Sequence, residues 1–298
     1  MAALTQKKSW GKIMDEWKEF MWNPRTKEFM GRTGTSWALI LLFYVVFYAF
    51  LTGIFALCLW VMLQTIDDYH PKYADRLANP GLMIRPNVGT MDIEVSMKSN
   101  GSDSWQKYVD GLNTVLQDYN KTVQEVRGIV CPSGSYFLQT DAGNDKKACQ
   151  FLRDSLGDCS GINDTTYGYS SGTPCVLIKI NKVINFLPVP VKENSNSSVT
   201  ISCAGKNFVS DQSLGAIQYY PALSKNNSLG AIDLMYFPYY GNRAQKNYTQ
   251  PFVAVKFINA TRDVVHNVEC RIQAANIINS DSQDKFQGRV MFTLRINS

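Results

Sequence analysis

The chain has 298 residues, 45% of them hydrophobic, with 30 basic against 25 acidic side chains and a net charge of +5. A surplus that small, with no dense run of Lys and Arg, argues against a nucleic-acid partner. Two histidines in the whole chain leave little material for histidine-based catalysis or metal binding.

Residues 1–36 form a polar tail in which Trp10, Ile13, Met14, Trp17 and Phe20 recur at helical spacing. Two readings stand side by side: an amphipathic helix resting on the inner leaflet, and a short cytosolic helix packed on a partner. Asn23-Pro24 ends it, because the residue before a proline avoids the helical region.

Trp37 to Leu63 is a run of 27 residues without Asp, Glu, Lys, Arg or His, and a membrane-spanning helix is predicted over 37–66. The run is too long and too far from the N-terminus for the apolar region of a cleaved signal peptide, so it should remain as an anchor. Lys7, Lys8, Lys12, Lys18, Arg25, Lys27 and Arg32 precede it, whereas Asp67 and Asp68 follow it. Basic flanks stay cytoplasmic, which puts the N-terminus inside and the remainder outside, a type II arrangement. Tyr44 and Tyr48 are four apart, hence on one face, with hydroxyls deep in hydrocarbon that need hydrogen-bond partners. Ala49, Thr52, Gly53 and Ala56 are small, so the anchor reads as a helix-packing surface. The competing reading is interfacial anchoring, which suits Trp37 and Trp60 near the two ends better.

Residues 67–101, with Pro71, Pro80, Gly81, Pro86 and Gly89, read as an extended stalk, and 102–298 as one outer domain. Trp105, Tyr108, Val109, Leu112, Leu116 and Tyr119 follow the spacing of a buried helix face, with Asp103 and Gln106 as its cap. From Cys175 onward the period falls to two: Val176, Ile178 and Ile180 alternate with Leu177, Lys179 and Asn181. Phe252–Ile258 is a dense apolar run, and Val264–Arg271 and Arg289–Ile296 alternate again, the last placing Val290, Phe292, Leu294 and Ile296 on one face. Strands between turn-rich loops predict an antiparallel β-sandwich.

Cys131, Cys149, Cys159, Cys175, Cys203 and Cys270 lie beyond the anchor, and an even count in an exported domain implies three disulfides. Six cysteines have 15 possible pairings, of which neighbour pairing is the simplest. Asn-x-Ser/Thr triplets at Asn100, Asn120, Asn163, Asn196, Asn226, Asn247 and Asn259 all fall on the same side of the anchor. Each predicts a glycan and therefore an exposed loop.

Catalytic signals are weak. His70 falls in the stalk and His266 in a predicted strand, and neither a Gly-x-Ser-x-Gly elbow, a Cys-x-x-Cys pair nor a phosphate loop occurs. Asp67-Asp68 reads as the outer charge flank ahead of a cation site. The block Tyr236, Phe237, Pro238, Tyr239, Tyr240 and Gly241 holds four aromatics in six residues, and its composition suits a core or an interface equally.

Several blocks in one order resemble the β subunits of the Na,K-ATPase and H,K-ATPase family, from about Trp10 to the C-terminus. They are Glu28-Phe29-Met30-Gly31-Arg32-Thr33, Leu42-Phe43-Tyr44-Val45-Val46-Phe47-Tyr48, Cys159-Ser160-Gly161, Tyr167-Gly168-Tyr169, Gly172-Thr173-Pro174-Cys175, Tyr236 to Gly241, and Phe286-Gln287-Gly288-Arg289. The resemblance implies an immunoglobulin-like sandwich, three neighbour-paired disulfides, and a non-catalytic plasma-membrane subunit. It would chaperone an ATP-hydrolysing α subunit and tune its potassium affinity indirectly. It carries Tyr44, Phe47 and Tyr48 over as contacts to the α subunit's seventh and tenth helices. It likewise carries the Tyr236–Gly241 block, with the stalk, to the outer loop between the seventh and eighth. A small single-span regulatory subunit is a further implied partner. ATP and Mg2+ would belong to the α subunit alone, leaving this chain no cofactor beyond its glycans. Where family members often read Gly-Asn-Cys-Ser-Gly, this chain has Asp158, so that glycan site is missing. The stretch Gly31 to Trp37 is similar to the second sodium-pump branch, whereas Met1-Ala2-Ala3-Leu4 and Phe55–Leu59 are similar to the proton-pump branch, which is the alternative. Adhesion through glycans is a second function class. A type II membrane glycosyltransferase or hydrolase is a third, with no Asp-x-Asp motif behind it.

Overall fold

A computed structural model describes residues 10–74, 79–97, 102–140, 145–191, 197–224, 227–281 and 283–298. The chain divides into two compact units, Met1–Ile66 and Asp67–Ser298.

In the first unit, helix α1 (Trp10–Met21) stops two residues before Asn23-Pro24. A small antiparallel sheet of β1 (Trp22–Asn23), β2 (Glu28–Phe29) and β3 (Arg32–Thr33) follows. Helix α2 then runs from Gly34 to Gln64, 31 residues, or roughly 46 Å at the usual helical rise. It starts three residues ahead of the apolar run because the Thr33 hydroxyl accepts the Ser36 amide, and Trp37 Nε1 donates to the Phe29 carbonyl at 2.8 Å. It is the one helix among the described residues that is long and apolar enough to cross a membrane.

The second unit is a two-layer β structure. One sheet has the order β4-β6-β10-β8, from Leu82–Arg85, Cys175–Ile180, Val253–Phe257 and Ile217–Tyr220. The other has the order β5-β12-β11-β7-β9, from Asp92–Ser96, Arg289–Asn297, Val265–Gln273, Ser198–Gly205 and Gly230–Asp233. All pairs are antiparallel except β5 with β12. In β12 the period-two pattern holds: Val290, Phe292, Leu294 and Ile296 are all buried. Each such side chain contributes about 1.5–3 kcal/mol relative to exposure.

Two expectations need correction. Residues 82–96 are not stalk: β4 joins one sheet and β5 the other, and Leu82, Ile84, Ile93 and Val95 are buried. Pro86 and Gly89 fall in the turn between the two strands, and their density hid the alternation on either side. In β6 the alternation fails, since Leu177 is as buried as Val176 and Ile178. The core that takes in Leu177 also includes Leu112, Leu116 and Phe151, from a chain segment that precedes the strand.

Helix α3 (Ser102–Leu116) buries Tyr108, Val109, Leu112 and Leu116, the face its spacing predicts. The side chain of Asp103, expected at its cap, lies outside the described residues. The short helices α4 (Lys121–Arg127) and α5 (Phe208–Leu214) were not foreseen.

Candidate partner-contact surface

Disulfides frame the second unit: Cys131–Cys149, Cys159–Cys175 and Cys203–Cys270. The last does not bridge the two sheets. Cys203 and Cys270 are register partners on β7 and β11, with Cα atoms 4.0 Å apart, so the bond staples neighbouring strands of one sheet.

The expected contact residues fall into two groups with different environments. On α2, Phe43 and Phe47 stack with centroids 6.0 Å apart, and Tyr44 and Tyr48 stack at 5.9 Å, as their i,i+4 spacing dictates. Edge contacts of Phe43 with Tyr44 and of Phe47 with Tyr48 join the pairs into a four-ring ladder. All four rings are exposed, and neither tyrosine hydroxyl has a hydrogen-bond partner among the described residues. A hydroxyl without a partner in hydrocarbon is costly, by roughly 2–7 kcal/mol depending on reference. At Gly53 an added Cβ would meet nothing within 4 Å, so a neighbouring backbone has room to approach there.

The block Tyr236–Gly241 behaves otherwise, because its own domain consumes most of it. Phe237 and Tyr239 are 7% and 8% exposed, and Pro238 and Gly241 are buried as well. Tyr239 packs on Tyr248 with centroids 4.7 Å apart, and Tyr236 packs on Phe151 at 5.5 Å. Burial pushes the phenols of Tyr236, Tyr239 and Tyr248 above the ordinary tyrosine value. Only Tyr236 and Tyr240 keep partly open surfaces, and the Tyr240 hydroxyl accepts the Gln139 amide at 2.8 Å.

The segment following α2 is strapped to this block. Arg243 forms an ion pair with Asp68, four residues beyond Gln64, and the Tyr69 carbonyl approaches Gly241, whose φ of +91° suits glycine. Asp67 accepts the Tyr69 and His70 amides at 2.7 and 3.1 Å, and those hydrogen bonds hold its carboxyl below the ordinary value. Both carboxylates of the Asp67-Asp68 pair are therefore occupied in shaping the turn and the strap.

Asn120, Asn163, Asn247 and Asn259 are exposed, as glycan-bearing asparagines must be, whereas Asn100, Asn196 and Asn226 lie outside the described residues. His266 is wholly buried between Ser213 and the Thr261 carbonyl, at 3.0 and 2.8 Å, the setting of a packed core histidine. No group of three or more metal-ligating side chains occurs among the described residues.

A family model described as the sodium/potassium ATPase beta chain matches residues 7–292. A sodium/potassium-transporting ATPase subunit beta-2 from Rhinella marina is 68% identical over the whole of this chain and 99% of its own length. The mouse and human proteins of that name are each 54% identical, again over the whole chain and 99% of theirs.

Proposed function

Because this chain belongs to the sodium/potassium ATPase β-chain family, the accessory and not the catalytic half of that pump, we propose that it is the obligate companion of a P-type ATPase α subunit. It would accompany that subunit through folding and delivery to the plasma membrane and tune its potassium affinity. The orientation argued from charge places the tail in the cytoplasm and the disulfide-bonded domain outside. ATP, Mg2+ and the transported ions then concern the α subunit, and this chain needs no cofactor. The 68% identity to a sodium-pump β-2 subunit favours a sodium pump over a proton pump.

The observation that carries this reading is the Tyr44–Tyr48 ladder on α2, exposed aromatic surface whose two hydroxyls have no partner among the described residues, in a segment otherwise suited to lipid. A polytopic partner would cover the rings and supply the missing acceptors, and the seventh and tenth α-subunit helices are the expected surface. Tyr236 and Tyr240 would offer the outer loop between the seventh and eighth helices a rim, with the buried residues of the block holding that rim in place. The test is co-expression with a sodium-pump α subunit, followed by isolation in mild detergent. Stoichiometric recovery of both chains, and retention of this chain early in secretion when expressed alone, is the expected result. Mature surface delivery of the lone chain, with no α subunit recovered, would refute it.

A further inference from the structure

A polar cleft of about 420 Å³ opens where the end of β6 meets the loop carrying Asn247, far in sequence from the aromatic ladder. Arg127, Lys179, Lys182 and Lys246 line it against a single carboxylate, Asp118, which Arg127 already holds at 2.9 Å. No carboxylate among the described residues forms an ion pair with Lys179, Lys182 or Lys246. Lys179 is half-buried without a hydrogen-bond partner among those residues, and the β4–β6 register puts Arg85 on its own face as a diagonal neighbour. Burial, then Arg85 and Lys182, pull the Lys179 amine below the ordinary lysine value. The fold thus gathers cations that repel one another and leaves the space between them open, an arrangement a bound anion relieves.

The shape narrows the ligand. A bare inorganic oxyanion would fill little of a cleft whose volume lies in the range of small-molecule sites. Tyr119, Asn247, Tyr248, Thr249 and Gln250 complete the lining; Thr249 Oγ1 already accepts from Gln124 Nε2 at 3.0 Å and Gln250 Nε2 donates to the Ile180 carbonyl, which leaves the exposed Asn247 amide and the Gln250 Oε1 for hydroxyls, beside the aromatic edges. Lys182 sits over the Tyr239 and Tyr248 rings at 5.2 and 5.5 Å, which fixes its ammonium at the cleft wall. We infer that the cleft formed by Lys179, Lys182, Lys246 and Tyr248 is a binding site for an acidic sugar, its oxyanion on the lysines and its hydroxyls on the polar wall. Asn247, a glycan acceptor by sequence, lines the same cleft, so the site opens into space where oligosaccharides are expected.

The test is amine footprinting of the full-length, sialidase-treated chain in detergent, with acetylation of each lysine followed by peptide mass spectrometry. Sialyllactose at about twice its dissociation constant should slow acetylation of Lys179 and Lys182 about threefold relative to Lys107. Lactose should leave them unchanged, and sodium sulfate at matched ionic strength should protect less. Lys246→Gln, at an exposed position where folding is not at risk, should weaken the sialyllactose protection of Lys179. Protection by lactose, equal protection by sulfate, absence of protection, or protection unaltered by Lys246→Gln would each overturn the proposal.

Discussion

Asp158 Oδ2 lies 2.9 Å from Lys256 Nζ and 3.3 Å from the Tyr220 hydroxyl, so the residue standing where the family resemblance implies an acceptor asparagine forms a cross-link instead. It joins the segment before Cys159 to β10 and β8, close to the Cys159–Cys175 disulfide. Hydrogen bonding to Lys256, reinforced by its charge and by Tyr220, holds the carboxyl below the ordinary aspartate value.

Asp158→Ala should cost little at neutral pH, about 0.2–1 kcal/mol, because the carboxylate is more than half exposed. The folded-state value is depressed, so the stabilisation is complete above the unfolded value of 3.8 and fades as pH falls through the folded one. Thermal unfolding of both proteins between neutral pH and about pH 3 should show curves that converge on acidification. Divergence at low pH would contradict the ion pair.

Asp158→Asn should do more than break the pair, since it places an asparagine two residues ahead of Ser160, with Cys159 between them, and so completes an acceptor triplet at an exposed position. Expressed in a eukaryotic secretory pathway, the variant should migrate more slowly than the parent and lose the difference on enzymatic deglycosylation. Identical migration would mean that the position is closed to the glycosylation machinery, or that the domain faces the cytoplasm.

The Tyr167-Gly168-Tyr169 block is used inside its own domain, where both tyrosines are wholly buried. Asp164 accepts the Thr166 and Gly168 amides at 2.8 and 2.7 Å, folding a turn in which Tyr167 and Gly168 both take positive φ. Tyr167 then hydrogen-bonds Asn113 and Arg153 at 2.7 and 2.8 Å, and Tyr169 stacks on Tyr108 of α3. A Cβ at Gly168 would overlap the Thr173 carbonyl. Gly168→Ala should therefore cost about 1–2 kcal/mol for the left-handed backbone and about 1–3 more for the overlap. A fall of about 4–20 °C in the unfolding midpoint is expected by the usual scaling. An unchanged midpoint would mean that the turn is not rigid.

Legibility in the sequence followed the physics of each signal. Helix α2 and strand β10 are legible from unbroken apolar content, and the α3 face and strands β11 and β12 from a period that agrees with theirs. Strands β7, β8 and β9 are not, since Ser198–Gly205 mixes Thr and Ser with Val and Ile, and the other two span only four residues each. The aromatic block marks a different limit: composition shows that Tyr239 is valuable without showing whether its value lies in packing on Tyr248 or in meeting a partner. The basic cleft escaped notice because Arg127, Lys179, Lys182 and Lys246 are scattered along the chain and converge only in the fold.

Replacing Cys203 and Cys270 with Ser should be the most damaging of the three disulfide removals. The pair closes a loop of 67 residues, against 18 and 16 for the others, and chain entropy assigns it about 4 kcal/mol against about 3. Surface expression beside the α subunit should drop further for this double variant than for either of the other two. Equal losses would mean that strain or denatured-state structure outweighs loop length.

The ladder on α2 makes the sharpest demand on the proposed function. Tyr44→Leu with Tyr48→Leu keeps the helix and its hydrophobicity, since leucine is among the best helix formers, yet it removes both hydroxyls and the ring stack. If the ladder only met lipid, the change would be neutral or slightly favourable, because two unpartnered polar groups leave the hydrocarbon. If it packs on α-subunit helices, each lost intramembrane hydrogen bond costs about 0.6–2 kcal/mol, enough to weaken recovery of the complex in detergent or to shift potassium activation severalfold. The three disulfides and the recognition of the outer domain by conformation-specific antibodies should be untouched in either case. Unchanged co-purification together with unchanged potassium activation would assign the tyrosines to lipid and leave the partner contact to be found elsewhere on the helix.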